Sequence, residues 1–328
     1  MKVKQILTRV DRITERKTVV IAVTLVVVIS VSAILAELYL AHNSQPTQST
    51  QATNQSSKIQ VVAAENFWGS LISQLGGSKT QVLSIVTDPN ADPHEYESNS
   101  QDAQAIATAA LVVVNGAGYD DWALKLISAS NTPHQLVLNV ADLLGKKEGD
   151  NPHFWYSPYY VNDTVKAMYL DLISIDPTDT SYFTQQYAGL KASLGQYNSR
   201  INEIRQQFAG TRVAATESIF VYLANATGLN LVSPPAFMEA VAEGNDPPAQ
   251  SVVQFQQLIQ SGNLSVLVYN AQTVTPLTQN IKAMAAAKGI PIVAVTETIQ
   301  PPDVSFQDWM NAELITLQNA LNAQALGQ

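Results

Sequence analysis

Two of the four histidines in this 328-residue chain stand in nearly the same short stretch of sequence. The two stretches are Asp92-Pro93-His94-Glu95-Tyr96 and Asn151-Pro152-His153-Phe154-Trp155. Proline fixes its own φ and restricts the residue before it, so each histidine is predicted to project from a stiff turn. Two imidazoles presented alike indicate one shared site, and a transition-metal ion is the ligand that most readily unites such a pair.

Short apolar strands alternate with helices along most of the chain beyond residue 58. The predicted strands are Ile59–Ala64, Gln81–Val86, Leu111–Val114, Gln135–Val140, Arg212–Ala215, Ser265–Tyr269 and Pro291–Val295. The predicted helices are Asn66–Leu75, Asp102–Ala110, Ser218–Thr227, Gln250–Gln260 and Leu277–Lys288. Continuous apolar strands alternating with helices are typical of parallel sheets covered on both faces, and they predict an α/β fold.

Four side chains that bind metals follow predicted strands. Ligands in open α/β sheets bind outside the carboxyl ends of the strands, so these positions are predicted to converge. The predicted metal ligands are His94 and His153 from the N-terminal half of this α/β region and Glu217 and Glu297 from its C-terminal half. Two alternatives stay open: Glu217 as an acidic residue favoured at a helix N-terminus, and Glu297 as a residue of a solvated loop.

A long proline-free segment, Ser181 to Phe208, separates the two halves. Its apolar residues follow a helical spacing, and some 28 residues at ~1.5 Å each give a rod about 40 Å long. The predicted fold is therefore two Rossmann-like lobes with parallel sheets, joined by one long rigid helix. The predicted boundaries are 58–179 for the N-terminal lobe, 180–209 for the linking helix and 210–328 for the C-terminal lobe.

The first 42 residues are predicted to be a basic cytoplasmic stub followed by a transmembrane anchor or signal. The 22-residue run Val19 to Leu40 can cross about 30 Å of hydrocarbon, and six Lys and Arg precede it. The positive-inside rule places the remainder outside the membrane. The run exceeds the usual ~7–15 residues of a signal core, which favours a retained anchor. Ala36 and Ala41 leave cleavage open, and the polar stretch 43–57 is predicted to be a flexible linker.

Composition excludes several kinds of site. The chain has no cysteine, which rules out thiolate metal sites, disulfides, cysteine nucleophiles and a lipid attached through cysteine. Beyond residue 42 there are 12 Lys and Arg against 24 Asp and Glu. This acidic balance argues against nucleic-acid binding and is compatible with the capture of cations.

The stretches around the histidines carry a resemblance to a known family. The residues concerned are Asp92-Pro93-His94-Glu95-Tyr96-Glu97 with Leu111 to Tyr119, Asn151-Pro152-His153-Phe154-Trp155, Thr216 to Tyr222, Glu243-Gly244-Asn245-Asp246-Pro247 and Thr296-Glu297-Thr298-Ile299. From about Ile59 to the C-terminus the chain resembles the zinc- and manganese-binding solute-binding proteins of ABC importers. Some members of that family are also cell-surface adhesins, a role that leaves no mark in sequence.

The resemblance implies capture of Mn²⁺ or Zn²⁺ outside the cell by a monomer and delivery to an ABC permease. It also implies the same four ligands, and the Glu at position 217 favours manganese. Asn151 replaces the aspartate usual in the family, which puts the hydrogen-bond support of His153 in doubt. The histidine-rich loop of many zinc members is missing, since 139–150 contains no histidine.

The residues next to the predicted ligands are expected to have other roles. Asp92 and Glu95 are interpreted as turn or supporting residues, and Trp122, Trp155 and Tyr119 as packing residues. A zinc hydrolase needs a positioned base and an open metal position, and no HExxH motif is present, so no enzymatic activity is predicted. The alternative function is a solute-binding protein of the same fold for an organic ligand or a metal chelate.

Overall fold

Two four-stranded parallel sheets and the helices that cover them account for the chain beyond residue 58. The computed structural model describes residues 2–43, 58–90, 93–130 and 132–326. The predicted linker 43–57 lies outside these residues except for Asn43, and Asp92 lies outside them as well. The chain divides into two units, residues 1–55 and 56–328, which are described separately.

The described part of the N-terminal unit is a helix, α1 (Lys2–Asn43). Its stretch Ile21–Tyr39 has a mean hydropathy of 2.5 and is long and apolar enough to cross a membrane, a criterion that an N-terminal signal sequence also meets. Its described apolar side chains are exposed, as the predicted transmembrane segment requires.

The first sheet has the strand order β2-β1-β3-β4, with every pair parallel. Its strands are β1 (Ile59–Glu65), β2 (Thr80–Val86), β3 (Leu111–Val114) and β4 (Leu136–Asn139). All four residues of β3 are buried, because helices cover both faces of the sheet. These helices are α2 (Asn66–Gly76), α3 (Ser100–Thr108), α4 (Asp121–Ser130), α5 (Val140–Leu143) and α6 (Pro158–Ile175).

The second sheet repeats this arrangement with the order β6-β5-β7-β8, again parallel throughout. Its strands are β5 (Arg212–Ala215), β6 (Asn230–Leu231), β7 (Val266–Asn270) and β8 (Ile292–Val295). Its helices are α8 (Val221–Thr227), α9 (Pro235–Ala242), α10 (Ala249–Gln260), α11 (Pro276–Ala287) and α12 (Phe306–Leu326). The predicted α/β fold with two parallel sheets is confirmed.

Helix α7 (Thr180–Phe208) runs between the sheets in sequence and packs against helices of both. Its 29 residues correspond to about 44 Å at ~1.5 Å per residue. The face turned to the core carries Phe183, Leu190, Leu194, Tyr197, Ile201 and Ile204. Those side chains belong to one hydrophobic cluster that reaches into both sheets, so α7 joins them through a shared core.

Helix α12 also connects the two halves, although no helix was predicted there. It packs against α7 and α2, and the backbone N–H of Phe306 donates to the Ser70 hydroxyl over 3.0 Å. Its buried residues Phe306, Met310 and Leu314 are spaced by four, so the helical pattern is present in the sequence. Helices α4, α6 and α9 were likewise not predicted.

Candidate metal centre

The structure brings His94, His153, Glu217 and Glu297 together, with one ligand atom of each within 4.8 Å of the others. Nε2 of His94 lies 3.3 Å from Oε2 of Glu297, and Nε2 of His153 lies 3.1 Å from Oε1 of Glu217. Adjacent ligands around a four-coordinate zinc at about 2.0–2.1 Å are separated by about 3.3 Å. The spacing of the four side chains therefore fits a single ion.

His94 stands in a single 3₁₀ turn, Pro93–Glu95, shortly after β2. Its side chain is 20% exposed, whereas those of His153, Glu217 and Glu297 are fully buried. Its ring contacts Tyr119 edge-on, with the ring centroids 4.6 Å apart. An ion would therefore reach the cluster from the side of His94.

His153 is oriented by the asparagine two residues before it. The Asn151 side-chain oxygen lies 2.7 Å from Nδ1 of His153 and also accepts from the His153 backbone N–H. Because that oxygen accepts, Nδ1 carries the ring proton and Nε2 presents its lone pair to the cluster. The doubt about the hydrogen-bond support of His153 is removed, since the Asn151 amide oxygen supplies an acceptor in place of the aspartate carboxylate.

Glu217 follows β5 and precedes a 3₁₀ turn that leads into α8, but its side chain does not cap that turn. It points into the buried cluster, where Oε1 has no hydrogen-bond partner among the described residues and Oε2 accepts from the amide of Asn270. Glu217 thus offers a desolvated oxygen to the cluster. A buried polar atom left in this way is costly unless a ligand satisfies it.

Glu297 follows β8 and is also buried, so the solvated-loop alternative does not hold. Its Oε2 accepts from the Tyr119 hydroxyl at 2.7 Å, and its Oε1 accepts from Asn270 at 2.6 Å. Burial by itself would raise the pKa of Glu297, but the imidazoles of His94 and His153 and the Tyr119 hydroxyl lower it to about 2. The carboxylate is therefore held as an anion.

Several supporting side chains were missed by sequence reasoning. Tyr119 was interpreted as a packing residue, and although it does pack, its hydroxyl binds Glu297 directly. Asn270 ends β7 and donates to both carboxylates, while Gln272 accepts from the backbone N–H of Glu297 at 2.7 Å. Glu95 is exposed on the 3₁₀ turn, as expected for a turn residue.

Two buried carboxyls lie beside the loop that carries Tyr119. Asp120 accepts from the backbone N–H groups of Asn115 and Gly116 at 2.6 and 2.7 Å, which fixes the loop after β3. Burial raises the pKa of Asp120 to about 6 and that of the neighbouring Glu65 well above its usual value. The pair is therefore protonated more readily than ordinary carboxyls.

The structure thus combines two parallel α/β sheets with a cluster of two imidazoles and two carboxylates that is spaced to hold one metal ion. The family described as zinc-uptake complex component A, periplasmic, matches residues 61–320. The chain belongs to this family, which confirms the resemblance seen in the sequence.

Individual relatives agree with this assignment. The manganese-binding lipoprotein MntA of Halalkalibacterium halodurans is 31% identical over 124 residues, which cover 36% of this chain and 40% of that protein. The iron ABC transporter substrate-binding lipoprotein MtsA of Streptococcus pyogenes is 24% identical over 235 residues, covering 65% of this chain and 73% of MtsA. The periplasmic zinc-binding protein TroA of Treponema pallidum has the same fold, with a TM-score of 0.68 at 16% identity over 80% of this chain and 99% of TroA.

Proposed function

We propose that this chain is an extracytoplasmic solute-binding protein that captures one divalent transition-metal ion, Mn²⁺ or Zn²⁺, and passes it to an ABC permease. The observation that carries the proposal is the convergence of His94, His153, Glu217 and Glu297 in one cluster. Two neutral imidazoles and two carboxylates bring a charge of −2, which neutralises a divalent cation. Relatives named for manganese, iron and zinc support a transition metal as the cargo.

The site is suited to holding an ion rather than to catalysis. A catalytic zinc site has three protein ligands and keeps a position open for water or substrate. Here four protein ligand atoms surround one point, and three of the four side chains are fully buried. This arrangement supports capture without hydrolysis.

Each lobe supplies half of the ligands, so a bound ion would link them. We assign residues 58–179 and 210–328 to the two lobes and 180–209 to the helix that joins them. The shared core on α7 and the contacts of α12 hold the lobes together, so release would require one lobe to shift against these contacts. The permease would contact both lobes of a monomer. The stretch Ile21–Tyr39, retained as an anchor, would hold this monomer at the extracellular face of the cell membrane.

A cavity beside the cluster favours a second candidate, capture of the ion as a small metal chelate. The cavity has a volume of about 840 Å³ and is lined by His94, Tyr119, Asn151, Ser218 and Met238 among others. Cavities of about 300–1,000 Å³ accommodate small organic molecules. A chelate seated there would reach the cluster through His94.

Equilibrium dialysis of the fragment 43–328 against Zn²⁺ or Mn²⁺, after removal of metal by a chelator, tests the proposal. We expect one ion per chain, measured by elemental analysis, because the four ligand atoms fit a single ion. If the chain retained neither Zn²⁺ nor Mn²⁺ from buffers that contain only the metal ion, capture of the bare ion would be contradicted. Retention only with an added small chelator would instead support the second candidate.

A further inference from the structure

Asn270 lies between the two carboxylates of the metal centre. It is the last residue of β7, only 2% exposed, and its Nδ2 lies 2.5 Å from Oε2 of Glu217 and 2.6 Å from Oε1 of Glu297. Its Oδ1 accepts from the backbone N–H of Gln272 at 2.9 Å. That bond fixes the orientation of the amide, so the NH₂ group faces the carboxylates.

An amide NH₂ group carries two hydrogens, and its two nearest acceptors are one oxygen of each carboxylate, while the Thr273 hydroxyl oxygen lies farther from Nδ2, at 3.0 Å. The oxygens that they bind are Oε2 of Glu217 and Oε1 of Glu297. The opposite oxygens, Oε1 of Glu217 and Oε2 of Glu297, are the ones that lie 3.1 and 3.3 Å from the imidazole nitrogens. Each carboxylate therefore turns one oxygen to the cluster and the other to Asn270, and Oε1 of Glu297 has a second, longer contact with the Thr273 hydroxyl at 3.3 Å.

We propose that Asn270 is a specificity-determining residue that restricts both carboxylates to one metal-binding oxygen each and so limits the site to four protein ligand atoms. This inference rests on the proposed function. Zn²⁺ has no geometric preference of its own and is commonly four-coordinate with nitrogen and oxygen ligands. Mn²⁺ suits a larger set of oxygen ligands in octahedral geometry, which bidentate carboxylates would help to provide.

The surroundings of the carboxylates strengthen this restriction. The side chains of His153, Glu217 and Glu297 are fully buried, and among the four described ligands His94 alone, at 20% exposure, reaches solvent. The Tyr119 hydroxyl further fixes Oε2 of Glu297. Asn270 thus shifts the preference toward zinc, against the direction implied by a glutamate at position 217.

The test compares the wild-type full chain in detergent with Asn270→Ala. Dissociation constants for Zn²⁺ and Mn²⁺ are measured by competition with a chelator. Zinc generally binds N/O sites more tightly than manganese, so the informative quantity is the ratio of the two constants. We expect the ratio of the Mn²⁺ dissociation constant to the Zn²⁺ dissociation constant to fall by about tenfold or more in the variant. Metal affinity changes on this scale when a hydrogen-bond partner of a metal ligand is removed. The freed carboxylates can then bind with both oxygens.

The visible absorption of bound Co²⁺ gives a second readout that is independent of affinity. Four-coordinate Co²⁺ absorbs strongly and six-coordinate Co²⁺ weakly, so we expect a strong spectrum in the wild type and a weaker one in Asn270→Ala. The matched control is Asn311→Ala, which removes an amide that binds Arg200 on α7. The control is expected to retain the wild-type ratio and spectrum.

The outcomes separate this inference from the proposed function. A wild-type chain that binds no ion contradicts the proposed function itself. A wild-type chain that binds ions but gives the weak spectrum of six-coordinate Co²⁺ overturns the role of Asn270, even if the variant fails to fold. An unchanged ratio in a folded Asn270→Ala variant, judged by circular dichroism, overturns it as well.

Discussion

The double variant His94→Ala/His153→Ala is expected to lose tight metal binding and to remain folded. It removes both nitrogen ligands. Replacing a residue that only hydrogen-bonds to a metal ligand already lowers metal affinity by about 10–100-fold. We therefore expect a loss of more than about 100-fold for Zn²⁺ and Mn²⁺ in calorimetry. The fold should persist because the cores of both sheets are built from apolar side chains.

His134→Asn is the matched control for this pair. His134 is exposed and has a left-handed backbone with φ of 67°, which asparagine tolerates. The control should bind both metals with wild-type affinity. Unchanged affinity in the double variant would require the ligand set to be abandoned.

Glu313→Gln is expected to remove a large part of the pH dependence of stability. The Tyr156 hydroxyl lies 2.8 Å from both the carbonyl oxygen of Thr296 and Oε2 of Glu313. One hydroxyl proton serves one acceptor, so both contacts are satisfied when Glu313 is protonated and donates to Tyr156. Burial raises the pKa of Glu313 to about 8, despite hydrogen bonds that lower it.

The sign of the effect follows from the two states of the chain. The pKa of Glu313 is about 8 in the folded state, against about 4.3 in the unfolded chain. Between these values the folded state holds more protons, so stability is fully present at low pH and falls as pH rises, by up to about 1.4 kcal/mol per unit. Glutamine imitates the protonated carboxyl, donating to Tyr156 and accepting from the Thr296 backbone N–H.

Urea unfolding of the fragment 43–328 at a series of pH values measures this difference. Between pH about 5 and 8 we expect the wild type to lose about 3 kcal/mol more stability than Glu313→Gln. The buried Asp120 and Glu65 are present in both proteins, so their contributions cancel in the comparison. If the free energy of unfolding changed with pH in the same way in both proteins, Glu313 would be ionised in the folded state, which would contradict the prediction.

The positions of the four candidate ligands were accessible from the sequence because simple rules apply to them. Histidine is rare in the chain, both site histidines follow proline, and each glutamate comes two residues after the end of a short strand. The carboxyl ends of parallel strands meet at one edge of a sheet, which brings such residues together. Local sequence therefore predicted the α/β fold and the placement of these side chains.

The supporting residues were not accessible in the same way. Tyr119 and Glu297 are 178 positions apart, and only the packing of one lobe against the other brings the hydroxyl to the carboxylate. Asn270 ends an apolar strand, and Asn115, whose side-chain amide donates to the carbonyl oxygen of Pro152 next to His153, follows one, but a single amide carries no motif. Applying the strand-end rule to amides as well as to histidines and acids would have found both.

The most direct test of the account is the thermal stability of the fragment 43–328, first freed of metal and then titrated separately with Mn²⁺, Zn²⁺, Ca²⁺ and Mg²⁺. An ion that binds only the native state adds roughly 4 kcal/mol at about 1,000 times its dissociation constant. We predict a large rise in Tm with Zn²⁺ or Mn²⁺ and none with Ca²⁺ or Mg²⁺. No rise with any of the four ions would contradict the claim that this chain captures a transition metal.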